Sequence, residues 1–439
     1  MSKINLSYHN SQDSGYGRFG LRLAEALYRL GVENAGAIHP EKIDATNGPL
    51  VETESFELAK VALWLSTPPH AQGWYMGQFA GIFTMWESTE IPAGFRENLH
   101  HFDRIFVPSQ QNLEIFSKLH PDVRLIPLGI DPTWAFRPRP RVANEFVFLT
   151  AGFGPRKGTD QVIKAFQKAF PRGLAPERGG PIPRLIVKSR DDVWGTGVTR
   201  ISEMLSPKAE LALYADAHCF VSGSKGEGWG FMPFQAIAQG CPTILGAAHG
   251  HEEFAGLGIP IETHPFRCET ATFWGDGGHW WEPDFDQMVE AMRDVYANYP
   301  RYARDAEKAS PILHKTYTWE NTATQLLAGL DDVIDLEPPP FKVWRGAPPR
   351  LFHIRVNKFC AFAINGVHTA FYPGKDYWEP ADIRRAILAS GHMDLSVFDP
   401  SDLGMEDGDI AEEARAHNER CPTCHQRYNI DPDLAELRS

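Results

Sequence analysis

The order of apolar segments predicts an α/β protein: two parallel-sheet lobes followed by a small α+β module. Three observations carry this prediction. Short apolar runs alternate with stripes at helical spacing. Glycine-bearing loops join the runs to the stripes. Two proline-rich breaks, Arg137-Pro138-Arg139-Pro140-Arg141 and Glu337-Pro338-Pro339-Pro340, divide the alternation. Strand–loop–helix units in series build a parallel sheet covered on both faces, and two such sheets joined by a linker face a cleft. The expected domains are residues 1–135, 140–335 and 341–439.

Element by element, residues 3–8 read as the first strand, followed by a glycine loop at Gly15-Tyr16-Gly17-Arg18. Leu23, Ala26, Leu27 and Leu30 then share one helical face that stops at Gly31. Residues 61–65, 81–85 and 104–107 are buried-strand patterns, and Ser109 after the last is placed to cap a helix. In the second lobe, 146–150 is a strand and 152–158 a glycine-bearing loop. The helix from Asp160 carries Val162, Ile163, Phe166, Ala169 and Phe170 on one face. Strands at 185–188, 219–222 and 242–245 alternate with helices at 210–217 and 234–239. In the module, 351–356, 361–365 and 367–372 are short strands, Asn365-Gly366 is a hairpin turn, and 382–389 is helical.

Composition narrows the class. The chain has 439 residues, 43% hydrophobic and 23% charged, which excludes a disordered tail, a collagen repeat and a disulfide miniprotein. No apolar run approaches the ~18–20 residues of a membrane span. The start, Met1-Ser2-Lys3-Ile4-Asn5-Leu6, turns polar too early for a secretory signal. Six cysteines in so long a chain suit reduced thiols, so the expected location is cytoplasmic. A net charge of −13 argues against gripping nucleic acid by the overall field. That charge is uneven, however: residues 401–439 hold ten acids against four arginines, which leaves room for a basic cleft elsewhere.

The most informative stretch runs from Gly223-Ser224-Lys225-Gly226-Glu227-Gly228-Trp229-Gly230-Phe231 through Gln235 to Gly240-Cys241-Pro242. Glycines at 226, 228 and 230 free the backbone for close approach. A helix starts there, so unpaired N–H groups and the positive end of its dipole point into the loop, as phosphate binding requires. Glu227 supplies an acceptor for sugar hydroxyls. The plainer reading of these residues is an ordinary strand–turn–helix junction.

The stretch resembles the signature loop of retaining GT-B glycosyltransferases of the group 1 or family 4 type. Gln235 stands where that family has a second Glu that bonds the ribose. Gly152-Phe153-Gly154-Pro155-Arg156-Lys157-Gly158 resembles the family's diphosphate loop, with Phe153 in place of an Arg. Gly15-Tyr16-Gly17-Arg18 resembles its N-domain glycine loop. Phe102-Asp103-Arg104-Ile105-Phe106-Val107-Pro108-Ser109, Leu125-Ile126-Pro127-Leu128-Gly129-Ile130-Asp131, Trp281-Glu282-Pro283-Asp284 and Tyr317-Thr318-Trp319-Glu320 follow in the family's order, the last two fitting its closing helices. The resemblance covers residues 1–330 and implies two Rossmann-like domains.

It also implies a nucleotide-diphosphate-sugar as co-substrate and transfer of its sugar, with retention, to an acceptor hydroxyl. Lys157 and Arg156 neutralise the departing diphosphate and Glu227 orients the sugar, with no metal or other cofactor required. Gly15, Gly17, Gly154, Lys188, Gly228, Trp229, Gly230, Phe231 and Gln235 form the donor side. His70 and Glu87, after lobe-one strands, are acceptor-side candidates. Trp274, Trp280 and Trp281 are candidates for stacking on sugar, against the commoner reading of packed tryptophans. The acceptor stays open between DNA base, protein and glycan. A β module with an acidic tail suits a phage-encoded enzyme decorating DNA or virion protein, although the charge disfavours DNA. A non-catalytic nucleotide-sugar or carbohydrate binder, with Gln235 and Phe153 marking lost chemistry, is the rival reading.

The segment His417-x-x-x-Cys421-Pro-Thr-Cys424-His425 holds half of a zinc site. A structural site needs four ligands, and no second pair is visible; Cys360, His353 or His392 would have to complete it. Structural zinc therefore stays open. Cys-x-x-Cys-His also matches the haem-attachment string, which the absence of a secretion signal sets aside.

Overall fold

A computed structural model describes residues 2–8, 15–34, 59–67, 79–171, 180–268 and 277–334, with five backbone strands between 351 and 394. The first lobe contains β1 (Ser2–Tyr8), α1 (Gly15–Arg29), β2 (Val32–Asn34), β3 (Val61–Leu65), β4 (Phe79–Phe83), α2 (Ala93–Leu99), β5 (Arg104–Val107), α3 (Gln110–Phe116) and β6 (Val123–Leu125). Its sheet order is β2-β1-β3-β4-β5-β6. β1 with β2, β4 with β5, and β5 with β6 run parallel. β3, β4 and β5 are buried along their whole length, which is why they read as apolar runs, broken only by Arg104 at the start of β5.

The second lobe contains β7 (Glu145–Ala151), α4 (Thr159–Ala169), β8 (Ile182–Lys188), β9 (Val198–Ile201), α5 (Pro207–Asp216), β10 (Cys219–Val221), α6 (Phe231–Ala238), β11 (Thr243–Gly246) and β12 (Ile259–Ile261). These strands form one fully parallel sheet, β12-β11-β10-β7-β8-β9. An antiparallel pair, β13 (Thr263–Arg267) and β14 (His279–Pro283), follows. Then come α7 (Phe285–Ala297), α8 (Tyr299–Thr316), α9 (Trp319–Ala328) and α10 (Asp331–Ile334). Phe148, Val162, Phe166, Leu185 and Met292 lie in the core that α4 and α7 make with the sheet. Side-chain caps explain several helix starts: Ser206 accepts from Ala209 N, Asp284 from Gln287 N, and Thr318 from Asn321 N.

The last helices return to the first lobe. Trp319 stacks on Phe19 of α1 with centroids 6.1 Å apart. Thr322 Oγ1 donates to Pro127 O at 2.8 Å. Buried Arg104 donates to both carboxylate oxygens of Asp332 (2.8 and 2.9 Å), to Asp122 (2.7 Å) and to the Gly329 carbonyl. The proline-rich link is pinned rather than free, since Arg139 donates to the carbonyls of Tyr214, Ala217 and Gln239.

Several expectations are corrected. Gly15 and Gly17 are not a loop but the first turn of α1, whose amphipathic face begins with Phe19. Trp281, Glu282 and Pro283 lie in β14 rather than a closing helix, and only Asp284 reaches a helix, as its cap. Ser109 is the N-cap of α3 but makes no side-chain cap bond; the Gln110 N–H instead donates to Glu253 Oε1 at 2.7 Å. β2, β6, β9, β12 and β13 are additional strands.

Residues 1–57, 63–71 and 80–335, most of both lobes, form one compact unit, and the C-terminal strands belong to a second. Described by itself, the second unit has β15 (Leu351–Val356), β16 (Cys360–Ile364), β17 (Val367–Phe371), β18 (Asp376–Pro380) and β19 (Met393–Asp394). β16 and β17 pair antiparallel with Ile364 opposite Val367, the register a two-residue turn at Asn365-Gly366 demands. β15 pairs antiparallel with β18 and β19. The helix expected at 382–389, His70, Trp274, His392 and the Cys421/Cys424 segment lie outside the described residues, as do the side chains of His353 and Cys360.

Candidate active site

Three loops leave the C-terminal ends of parallel strands and converge, the place where open α/β sheets bind ligands. The first follows β7. Its backbone folds through a 3-10 turn, Pro155–Lys157, and ends at Gly158 with φ +59°. A Cβ on Gly158 would stand 2.1 Å from the Gly223 carbonyl oxygen, so only glycine fits where this loop crosses the one after β10. The crossing brings Lys157 and Arg156 onto Glu227.

Glu227 is 6% exposed. Its Oε1 accepts from Lys157 Nζ and from Ser224 Oγ (2.6 Å), and its Oε2 from Arg156 Nη1 (3.2 Å). Arg156 also donates to the Gly226 carbonyl, while its Nη2 stands 3.6 Å from Glu87 Oε1 in the first lobe. Burial alone would raise the Glu227 carboxyl, but Lys157 and Arg156 hold it well below the usual carboxylate range. Burial, helped by Arg156, pushes the Lys157 ammonium below the ordinary lysine value against the pull of Glu227. The result is a carboxylate that stays ionised at neutral pH and is shared by two cations.

The third loop follows β4 in the first lobe. A Cβ on Gly226 would lie 2.1 Å from the Glu87 carbonyl oxygen and 2.9 Å from Trp280 Cδ1. One on Gly228 would meet Met85 Cβ at 2.5 Å, and one on Gly230 would meet the His251 ring at 2.5 Å. The glycines at 226, 228 and 230 thus serve a close approach of protein to protein. Tyr16 of α1 braces the same place, donating to Met85 O (3.2 Å) and accepting from Met85 N (3.1 Å). The Thr89 N–H donates to His279 O at 3.1 Å, and the His279 N–H donates to Thr89 Oγ1 at 2.8 Å.

Most of the expected donor-side residues gather here. Gly230 caps α6 at φ +100°, and Phe231 is its first residue. Gly15 sits 3.8 Å from Phe231 Cδ2, measured from an ideal Cβ. Trp229 and Gln235 are buried, and Trp229 packs on Phe234, Phe254 and Tyr317. The Gly154 N–H donates to Asp191 Oδ2 (2.7 Å), and the Lys188 carbonyl accepts from Gly152 N (3.0 Å). Phe153 is exposed, with the Arg190 guanidinium 5.4 Å from its ring centroid. Trp280 is buried against Gly226, which fits packing rather than sugar stacking.

Sequence reasoning missed Lys225, His249 and His251. Lys225 pairs with Glu282 at 2.9 Å and lies 4.2 Å from the Phe266 ring centroid. The two histidines lie under the glycine loop; the string His249-Gly250-His251 directly after a strand was the available signal. Among the described residues no group of three or more His, Cys, Asp or Glu side chains is placed to hold a metal ion. Among them, too, no helix is long and apolar enough to cross a membrane.

Comparison with known proteins agrees with this architecture. Residues 206–326, which include Glu227 and Gln235, match the family model described as "Family 4 Glycosyltransferase in conflict systems". Sucrose-phosphate synthase from Thermosynechococcus elongatus superposes with a TM-score of 0.52 at 14% identity, covering 76% of this chain and 99% of that one. The fold is that of the GT-B type, two Rossmann-like lobes. Anabaena HepE, solved in complex with UDP and glucose, gives 0.51 at 12% identity over 76% of this chain and 100% of its own. No curated protein matches the sequence significantly.

Proposed function

We propose that this protein transfers a sugar from a nucleotide-diphosphate-sugar to an acceptor hydroxyl with retention of anomeric configuration. The observation that carries the reading is the convergence of Lys157 and Arg156 on ionised Glu227 where the loops after β7 and β10 cross. Breaking the anomeric C–O bond leaves negative charge on the departing diphosphate. Partly buried cations and the loop N–H groups at the start of α6 stabilise such charge electrostatically. Glu227 stays ionised and accepts from sugar hydroxyls rather than donating a proton. Lys157 then shares its contact between this carboxylate and the diphosphate, and the leaving phosphate takes the acceptor's proton.

Gly154, Lys188, Gly228, Trp229, Gly230, Phe231 and Gln235 shape the donor side, with Gly15 and Gly17 opposite. Glu87 and His70 are assigned to the acceptor side. The complex of HepE with UDP and glucose supports UDP-glucose as the first donor to try. Cys219 and Cys241 are buried free thiols, which suits a reducing cytoplasm.

The test is a thermal-shift screen against UDP- and GDP-sugars, followed by transfer from the radiolabelled donor to DNA, protein and glycan acceptors read by mass spectrometry. Stabilisation by one donor with turnover is expected. Stabilisation with neither hydrolysis nor transfer would leave a binder whose chemistry is lost, the state that Gln235 and Phe153 suggest. No stabilisation by any donor sinks both readings.

A further inference from the structure

We infer that His249 is a positioning residue that holds Ser224 and, through Ser224, the carboxylate of Glu227. The inference rests on the reading of Glu227 as a donor-side group.

His249 opens the 3-10 stretch His249–Glu253 that follows β11. Its φ is +50°, the single left-handed value outside glycine among the described residues. Glycine adopts that conformation freely, whereas a side chain crowds the backbone. The chain nevertheless carries an imidazole there, 1% exposed. Strain of this kind persists where the surrounding structure over-determines it, most often at functional sites.

The contacts say what the imidazole does. His249 Nε2 stands 3.3 Å from the Ser224 carbonyl oxygen, which only accepts, so Nε2 carries the proton. Nδ1 is then a bare acceptor, buried and without a hydrogen-bond partner among the described residues. Ser224 Oγ donates to Glu227 Oε1 at 2.6 Å, and the Gly250 N–H donates to the Glu227 carbonyl at 2.9 Å. His249-Gly250 therefore grips the loop at Ser224 and at the Glu227 main chain. The remaining groups that act on His249 are His251, with ring centroids 4.2 Å apart, and the charges of Glu227 and Arg156. Burial keeps both imidazoles neutral, His251 pushed down to about 4 and His249 well below its ordinary value. A neutral N–H donor orders Ser224 without adding a third cation to the two already on Glu227.

The experiment compares His249→Gly, His249→Ala and His249→Asn with wild type, using UDP-glucose as the probe for turnover and melting temperature as an activity-independent readout. His249→Gly relieves the backbone but empties a buried site, so its melting temperature should fall less than that of His249→Ala, while kcat falls about tenfold with KM little changed. Asn tolerates the left-handed backbone and its amide donates, so His249→Asn should restore most of kcat. A melting-temperature cycle with Glu227→Gln should be non-additive. Full kcat in His249→Gly, or additive melting shifts in the cycle, overturns the inference. Should wild type turn over no donor, the transfer reading fails, and the melting cycle still decides for His249.

Discussion

Arg104 and Lys157 are both cations removed from water, and their surroundings differ in a way that separates structure from function. Arg104, 5% exposed in its side chain, has its guanidinium spent on Asp122, on both oxygens of Asp332 and on a carbonyl. Its carboxylates are themselves half in water. Around Lys157 the order is inverted. The carboxylate, Glu227, is the buried partner at 8%, and two cations share it. Arg156 reaches Glu87 only at 3.6 Å, beyond hydrogen-bond range. The first cluster is saturated and has nothing to exchange. The second can redistribute its contacts toward an arriving anion.

Removing a cation from each cluster sharpens the contrast. Arg104→Ala should cost about 1–3 kcal/mol, through its lost charge-assisted bonds and packing, because Asp122 and Asp332 still reach water. Chemical denaturation measures this, and turnover per folded molecule should be unchanged. Lys157→Ala should instead lower transfer by about 10²–10³-fold, read from radiolabelled donor, with a smaller loss in melting temperature. A loss of activity in Arg104→Ala equal to that in Lys157→Ala would break the distinction.

Acid probes the same cluster. Glu227 is held below its unfolded value, so its stabilising share is complete above the ordinary carboxyl pKa of ~4.3 and disappears only as pH falls through that value toward the depressed one. The melting difference between wild type and Glu227→Gln should be flat from about pH 7 to 5 and narrow in stronger acid.

Smaller effects follow at the glycines and at Phe153. Gly226→Ala would press on the Glu87 backbone, Gly228→Ala on the Met85 side chain. A cost of about 1–3 kcal/mol is expected for each, greater for Gly226 because backbone yields less. Phe153→Arg, on an exposed position, should leave stability within about 0.5 kcal/mol and modestly tighten UDP binding in calorimetry.

The central strands of both sheets were legible because buried parallel strands are largely apolar runs, as at 61–65 and 105–107. The loop bearing Glu227 was legible because close backbone approach needs glycine. What the glycines approach was not, since Glu87, Met85 and His251 meet them only after folding. β14 was misread because Trp281-Glu282-Pro283 has no period of its own; pairing with β13 decides its conformation. His249 escaped because a residue's φ leaves no mark in its side-chain type.

The return of α9 and α10 to the first lobe bears on how the polypeptide can be divided. Phe19 and Arg104 find Trp319 and Asp332 only near the end of this unit, long after the second sheet has been made. A fragment cut at the proline-rich segment would leave a half with an uncovered helix face and a guanidinium held by Asp122 alone. On the ribosome, the amino-terminal half waits for its cover until the last helices emerge.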